Sequence, residues 1–278
     1  MKRIITRIND GLSCCYTAGE VSALTRILAT ELLGVPQMAF FLKDDVTLTA
    51  EQVTLLDSTI ERLVKHEPIQ YILGYSDFCG LRFKVNPATL IPRPETSELV
   101  EWVASEATGK ERILDIGTGS GCIAVSLAHK LPQSKVTAWD ISAEALIVAT
   151  ENSKTNGCAV TFEQVDILAY EPVGEQFDII VSNPPYIKEN EKKSMEANVL
   201  DWEPHTALFV PDNDPLLFYR AIAEKALAML TSGGALYFEI NRAHGAETVE
   251  ILKSLGYIET ELRKDLAGND RMIKAIRP

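Results

Sequence analysis

The chain has 278 residues, 46% of them apolar, and 27 Lys and Arg stand against 39 Asp and Glu for a formal net charge of −12. That length holds one large domain or two unequal ones with a real core, and the acidic balance argues against a broad basic surface for duplex nucleic acid, favouring a protein or small-molecule substrate. Five cysteines, at 14, 15, 79, 122 and 158, form no CxxC pair, and four histidines are scattered, so reduced thiols and neither structural zinc nor another metal site are expected.

The opening MKRIITRINDGLSCCYT lacks the apolar core of a signal peptide. No run of about eighteen apolar residues follows anywhere, so a cytoplasmic protein without a membrane partner is expected. The vicinal Cys14 and Cys15 read as a packed helix feature rather than a redox pair. From Glu20, the spacing of Val21, Leu24, Ile27, Leu28 and Leu32 predicts an amphipathic helix stopped by Gly34-Val35-Pro36. Thr49 and Gln52 read as a capping box for a second helix through Val53, Leu56, Ile60, Leu63 and Val64, ending before Pro68. Residues 1–70 are expected to form a small helical domain.

Over residues 71–90 the texture turns aromatic and β-branched around Gly80, which predicts a hairpin linker. IPRPET, residues 91–96, is stiff and extended, and a helix is expected from about Ser97. From Arg112 strand-like and helix-like segments alternate: RILDIG, a helix over 122–130, KVTAWD, a helix over 143–156, AVTFEQV and FDIIVSN. A helix over 215–230, GGALYFEIN, a helix over 246–255 and two last strands joined by AGND complete the pattern. Such alternation predicts an α/β fold around a mostly parallel sheet, with the last two strands as an antiparallel hairpin. The domain is expected to span residues 91–278.

Two stretches carry chemistry. In ILDIGTGSGCIAVSLA, a strand runs into Gly117, Thr118, Gly119, Ser120 and Gly121 and then a helix. Glycines there let a ligand lie against the main chain. A dinucleotide fingerprint would need a third glycine where the chain has Cys122, and Asp115 stands just before the loop. A ligand with a positive group, S-adenosylmethionine, suits this better than a pyrophosphate. Asp140, about twenty residues on, is placed for ribose hydroxyls. Asp166 and Leu168 are candidates to border an adenine, although Asp166 equally reads as a turn cap. The second stretch is DIIVSNPPYIK, where Asn183, Pro184, Pro185 and Tyr186 end a strand in a rigid corner. A rigid corner at the C-terminal end of a strand is where open α/β sheets put their ligands. Glu239 and Arg93 read as structural ion-pair partners.

DIGTGSG, AWDIS and SNPPY together resemble the class I S-adenosylmethionine-dependent methyltransferases that act on planar nitrogen, with a Rossmann-like, mostly parallel seven-stranded sheet. With QYILG, LIPRPETSELVE and the N-terminal helices, the whole chain resembles the HemK/PrmC family, the release factor glutamine methyltransferases. That resemblance implies methyl transfer from S-adenosyl-L-methionine to the side-chain nitrogen (N5) of the glutamine in the Gly-Gly-Gln motif of class 1 peptide chain release factors. It implies that Gly117 through Gly121, Asp140, Leu168 and Asn183 line the cofactor and that residues 183–186 hold the substrate amide, with Asn183 catalytic. For such an amide, the Asn183 oxygen and the Pro184 carbonyl are expected to accept its two hydrogens, with Tyr186 stacked on the planar group. It also suggests that the N-terminal helices grip the release factor. Some members carry a large aromatic at the position of Leu168. The alternative is an adenine-N6 or cytosine-N4 nucleic acid methyltransferase, which presents the same planar NH2 to a similar loop but must flip its base and grip phosphates. The acidic balance and the lack of a basic recognition domain count against it, and no direct nucleic acid substrate is expected.

Overall fold

Apolar residues at consecutive positions of the central strands point to opposite faces of one sheet, and helices cover both. The computed structural model describes residues 1–42, 44–174 and 176–278. They fall into two compact units: Met1–Gly74 with Glu196–Trp202, and Tyr75–Met195 with Glu203–Pro278.

The first unit is helical, with α1 (Lys2–Leu12), α2 (Ala18–Ile27), α3 (Gln37–Leu42), α4 (Ala50–Val64) and α5 (Ile69–Leu73). Helix α2 continues as a π turn over Leu28–Leu32. Ile4, Ile8 and Leu12, four residues apart, pack with Val21, Leu28, Leu56 and Leu63 in one apolar cluster. Thr49 and Gln52 form the expected capping box, and Thr17 with Glu20 forms another. Helix α1 is an addition to the sequence reading. It ends at Leu12, so Cys14 and Cys15 lie in the turn beyond it, exposed and half-buried, and the helix packing expected of them is not found.

The second unit begins with the hairpin β1 (Tyr75–Phe78) and β2 (Leu81–Lys84). Then come α6 (Pro94–Glu106), β3 (Arg112–Ile116), α7 (Cys122–Lys130), β4 (Lys135–Asp140), α8 (Ala143–Thr155), β5 (Val160–Gln164), β6 (Phe177–Ser182) and β7 (Ile187–Lys188). After α9 (Ala197–Leu200), which belongs to the first unit, follow β8 (Phe209–Val210), α10 (Leu217–Met229), β9 (Leu230–Glu239), α11 (Gly245–Ser254), β10 (Ile258–Lys264) and β11 (Asp270–Ile276). Helix α6 starts three residues earlier than expected because Pro94 occupies its first position, where a missing N–H costs nothing.

Seven strands make one sheet in the order β10-β11-β9-β6-β3-β4-β5. The five from β9 to β5 are parallel, and β11 pairs antiparallel with both β9 and β10. Ile113, Ile179 and Val181 face a core with Phe83, Leu99, Val103 and Val125. Leu114, Ile116 and Ile180 face a second core with Tyr219, Ile222 and Phe238. Chain order reverses between β3 and β6, and the crevice beyond the C-terminal ends of parallel strands at such a point is where open α/β sheets bind ligands.

Candidate cofactor and substrate site

The glycine loop leaves β3 at Ile116 and enters α7 at Cys122. Its first amides are tied to the neighbouring strand: Gly117 and Thr118 N–H donate to the Trp139 carbonyl at 2.8 and 3.0 Å. Gly121 has a φ of +80°, and a Cβ there would stand 3.1 Å from Ala149 Cβ, so glycine is needed both for the turn and for the approach of α8. Asn152 of α8, 1% exposed, donates to the Ser120 carbonyl at 2.8 Å and exchanges hydrogen bonds with the Lys84 backbone. The loop is thereby held from two sides.

Asp115 lies behind the loop, fully buried. One oxygen accepts from Thr118 Oγ1 at 2.6 Å and from Ala124 N at 3.2 Å, while Oδ1 has no hydrogen-bond partner among the described residues. Burial pushes this carboxyl up to about 7, against the downward pull of those two donors. Asp140, at the end of β4, accepts from Gly119 N at 2.8 Å and from Ser142 N at 2.9 Å. Burial raises its pKa too, and the backbone donors oppose the rise.

Strand β6 stops at Ser182, whose hydroxyl donates to the Ile116 carbonyl at 2.7 Å and pins the start of the Asn-Pro-Pro-Tyr corner to β3. Asn183 Nδ2 donates to Thr96 Oγ1 at 3.4 Å, and Thr96 Oγ1 donates to Glu239 Oε2 at 2.6 Å. Glu239, expected to be a structural ion-pair partner, is instead hydrogen-bonded beside Asn183. The cation nearest in effect, Arg271, is ion-paired to Asp265 at 3.0 Å. Burial pushes Glu239 up to about 6, with Thr96, Arg271 and Asn183 pulling down and Glu95 pushing up. Arg93 does form an ion pair, with the buried Glu203 at 2.6 Å, and Glu203 also accepts from Ile91 N. This clasp joins residues 91–93 to the segment that walls the cavity next door.

A cavity of about 360 Å3 opens at the C-terminal ends of β3 to β6. Gly117, Gly119, Asp140, Asp166, Leu168, Asn183, Pro184 and Pro185 all line it. Thr118 and Ser120 are buried behind the loop instead, and Gly121 packs against α8. Tyr186 lies outside the lining. It packs against the second core, burial raises its pKa, and its carbonyl accepts from Asn241 Nδ2 at 3.4 Å. Asp166 lines the cavity, and its carboxylate accepts from Leu168 N at 2.9 Å, the contact of a turn cap. Leu168 is 42% exposed at the rim. The sequence reading missed the walls formed by Thr89, Phe209 and Phe218. It also missed the Thr96–Glu239 pair, for which the only signal was that Thr96 belongs to IPRPET.

The family described as "Methyltransferase small domain" matches residues 95–201, and "PrmC N-terminal domain" matches residues 16–74. The release factor glutamine methyltransferase of Bacteroides thetaiotaomicron is 49% identical over 278 residues, covering 100% of both chains. The protein of the same name from Flavobacterium psychrophilum is 46% identical, covering 99% of this chain and 98% of its own. A solved methyltransferase from Pyrococcus furiosus aligns with a TM-score of 0.53 and 20% identity over 80% of this chain and 98% of its own, a likeness of fold alone.

Proposed function

This chain belongs to the release factor glutamine methyltransferase family, and from that membership and the geometry of the cavity we propose that it methylates the side-chain N5 of the glutamine in the Gly-Gly-Gln motif of class 1 peptide chain release factors. The observation that carries the reading is the meeting in one cavity of the glycine loop, Asp140 and the Asn-Pro-Pro corner.

The residues present fit S-adenosyl-L-methionine. A Cβ added at Gly117 or Gly119 meets nothing within 4 Å, so the loop leaves open space against its backbone. Behind it, the unpartnered Asp115 oxygen favours a ligand that carries positive charge. Gly117, Gly119, Asp140, Leu168 and Asn183 would hold the cofactor, with Thr118, Ser120 and Gly121 shaping the loop. When bound, the cofactor would supply an electrophilic methyl group, whose bond to sulfur breaks as the bond to nitrogen forms and leaves a neutral thioether.

The chain's own residues must then orient a poor nucleophile, because the amide lone pair is delocalised into its carbonyl. Asn183 Oδ1 and the Pro184 carbonyl accept the two amide hydrogens and aim the nitrogen. Pro184 and Pro185 keep the corner stiff, since alignment can supply roughly 7–11 kcal/mol of barrier lowering and a loose corner would forfeit it. The nitrogen gains a methyl and loses one proton, which passes to water. Tyr186 backs the corner from the core side. The −12 net charge supports a protein substrate over a nucleic acid, whose phosphates it would repel. No helix among the described residues is long and apolar enough to cross a membrane.

The test is to incubate the purified chain with S-adenosyl-L-methionine and a class 1 release factor and to locate methyl groups by mass spectrometry. A methyl on the Gly-Gly-Gln glutamine is expected. Cofactor binding without that product would refute the substrate reading and leave the fold reading standing.

A further inference from the structure

An asparagine amide can sit in its site two ways, with Oδ1 and Nδ2 exchanged, and only one of them presents an acceptor to a substrate NH2. Three side chains from separate elements decide between the two. Asn183 follows β6, Thr96 is in the first turn of α6, and Glu239 ends β9. Parallel pairing of Ser182 with Phe238 brings Asn183 and Glu239 side by side, and Thr96 and Glu239 are each 2% exposed.

A hydroxyl has one proton to give, and that of Thr96 goes to Glu239 Oε2. What remains toward Asn183 is a lone pair, which Nδ2 meets and Oδ1 would repel. We infer that Glu239, acting through the Thr96 hydroxyl, is the positioning residue that turns Asn183 Oδ1 toward the substrate amide. The inference rests on the functional reading above and adds to it the device that selects the orientation of Asn183. It also gives the threonine of IPRPET a purpose in the site.

The device depends on which partner holds the proton. A protonated Glu239 can donate to Thr96, whose own proton is then free to turn to Asn183 and favour the exchanged amide. The titratable neighbours of Glu239 are Glu95 on α6, Cys122 on α7, Tyr186 after β6, Tyr219 on α10 and Arg271 on β11. Arg271 alone among them favours the carboxylate, and Asp265 shares its charge. Burial has pushed Glu239 up to about 6, so turnover should fall as pH drops through that region.

The experiment compares the wild-type chain with Thr96→Val, Thr96→Ser and Glu239→Gln, using S-adenosyl-L-methionine and a Gly-Gly-Gln peptide or intact release factor. Valine keeps the shape of threonine without the hydroxyl, so kcat should fall about tenfold or more while cofactor affinity stays within about threefold. Serine restores the hydroxyl and should recover most of kcat. Glu239→Gln should fold, lose several-fold in kcat and, with S-adenosyl-L-methionine saturating so that the titration of Asp115 does not limit, lack the acid limb near pH 6 that the wild type shows. Retention of kcat in Thr96→Val within about twofold, or a serine variant no better than valine, overturns the inference while the functional reading stands. Wild-type chain that binds the cofactor and leaves both substrates unmodified overturns that reading, and the inference with it.

Discussion

Replacing Gly121 by alanine should damage the fold, whereas the same change at Gly119, two residues away, should damage ligand binding. At Gly121 the φ of +80° asks an L-residue to enter the left-handed region, which costs roughly 1–2 kcal/mol. The new Cβ would also stand 3.1 Å from Ala149 Cβ, 3.3 Å from Ala149 Cα and 3.5 Å from Val125 Cγ2. Ala149 is fully buried on α8 and offers no flexible end to swing away, so α7 and α8 must separate slightly, an overpacking cost of about 1–3 kcal/mol. Together these predict a loss of about 2–5 kcal/mol. Gly119 shares the positive φ, +54°, but its added Cβ meets no atom within 4 Å and the residue lines the cavity. Its stability loss should stop near 1–2 kcal/mol while affinity for S-adenosyl-L-methionine falls steeply. Urea unfolding followed by tryptophan fluorescence reads the first effect, with Trp102 and Trp139 reporting from the second unit's two cores, and titration calorimetry reads the second. If Gly121→Ala lost under about 1 kcal/mol, or Gly119→Ala bound cofactor normally, the division of labour argued from the loop would be wrong.

Asp115 has a folded-state pKa of about 7, above its unfolded value of 3.8, so its contribution to stability is full only below pH 3.8 and is lost as pH rises to 7, on the order of 4 kcal/mol in the protein without ligand. Asp115→Asn should flatten that part of the profile of Tm against pH between 5 and 7.5, and an unchanged slope would refute the assignment. Asn152→Ala removes the partners of Ser120 O, Lys84 O and Lys84 N. It should cost about 2–3 kcal/mol and weaken cofactor binding, measured by the same unfolding and titration experiments, and normal stability would show that water replaces the side chain. Asn183→Ala should reduce kcat by about 100-fold or more while cofactor affinity changes by less than about tenfold, and equal activity would end the amide-orienting mechanism.

The alternating half of the chain was legible because its local signals agree. Helix α7 over Cys122–Lys130 and strand β4 over Lys135–Asp140 fall where the apolar pattern put them, and the glycine loop lies between β3 and α7. Helix α1 was legible and was passed over: Ile4, Ile8 and Leu12 stand four apart among Lys2, Arg3, Asn9 and Asp10, an amphipathic spacing, but the opening stretch was weighed only as a signal peptide. Glu239 was misjudged for a different reason. Its partner Thr96 is 143 positions away, brought to it by sheet register and the placement of α6, and no spacing rule reaches that far. Arg93, by contrast, was read correctly as an ion-pair member, although Glu203 was not foreseen as its partner.

The first unit is discontinuous in the chain, and this bears on how the molecule is made. Helices α1 to α5 are complete at Gly74, yet the segment Glu196–Trp202, which carries α9, belongs to the unit and Trp202 Nε1 donates to the Lys65 carbonyl at 3.1 Å. Residue 202 follows residue 74 by 128 positions. A ribosome adding roughly 5–20 residues per second delivers it about 6–26 s later. During vectorial synthesis the helical unit therefore waits, unfinished, while the glycine loop and the Asn-Pro-Pro corner emerge. Strand β11, which lies between β9 and β10, is the last of the sheet to arrive. A nascent chain halted between residues 74 and 196 should expose the helical unit to proteases that the finished chain resists.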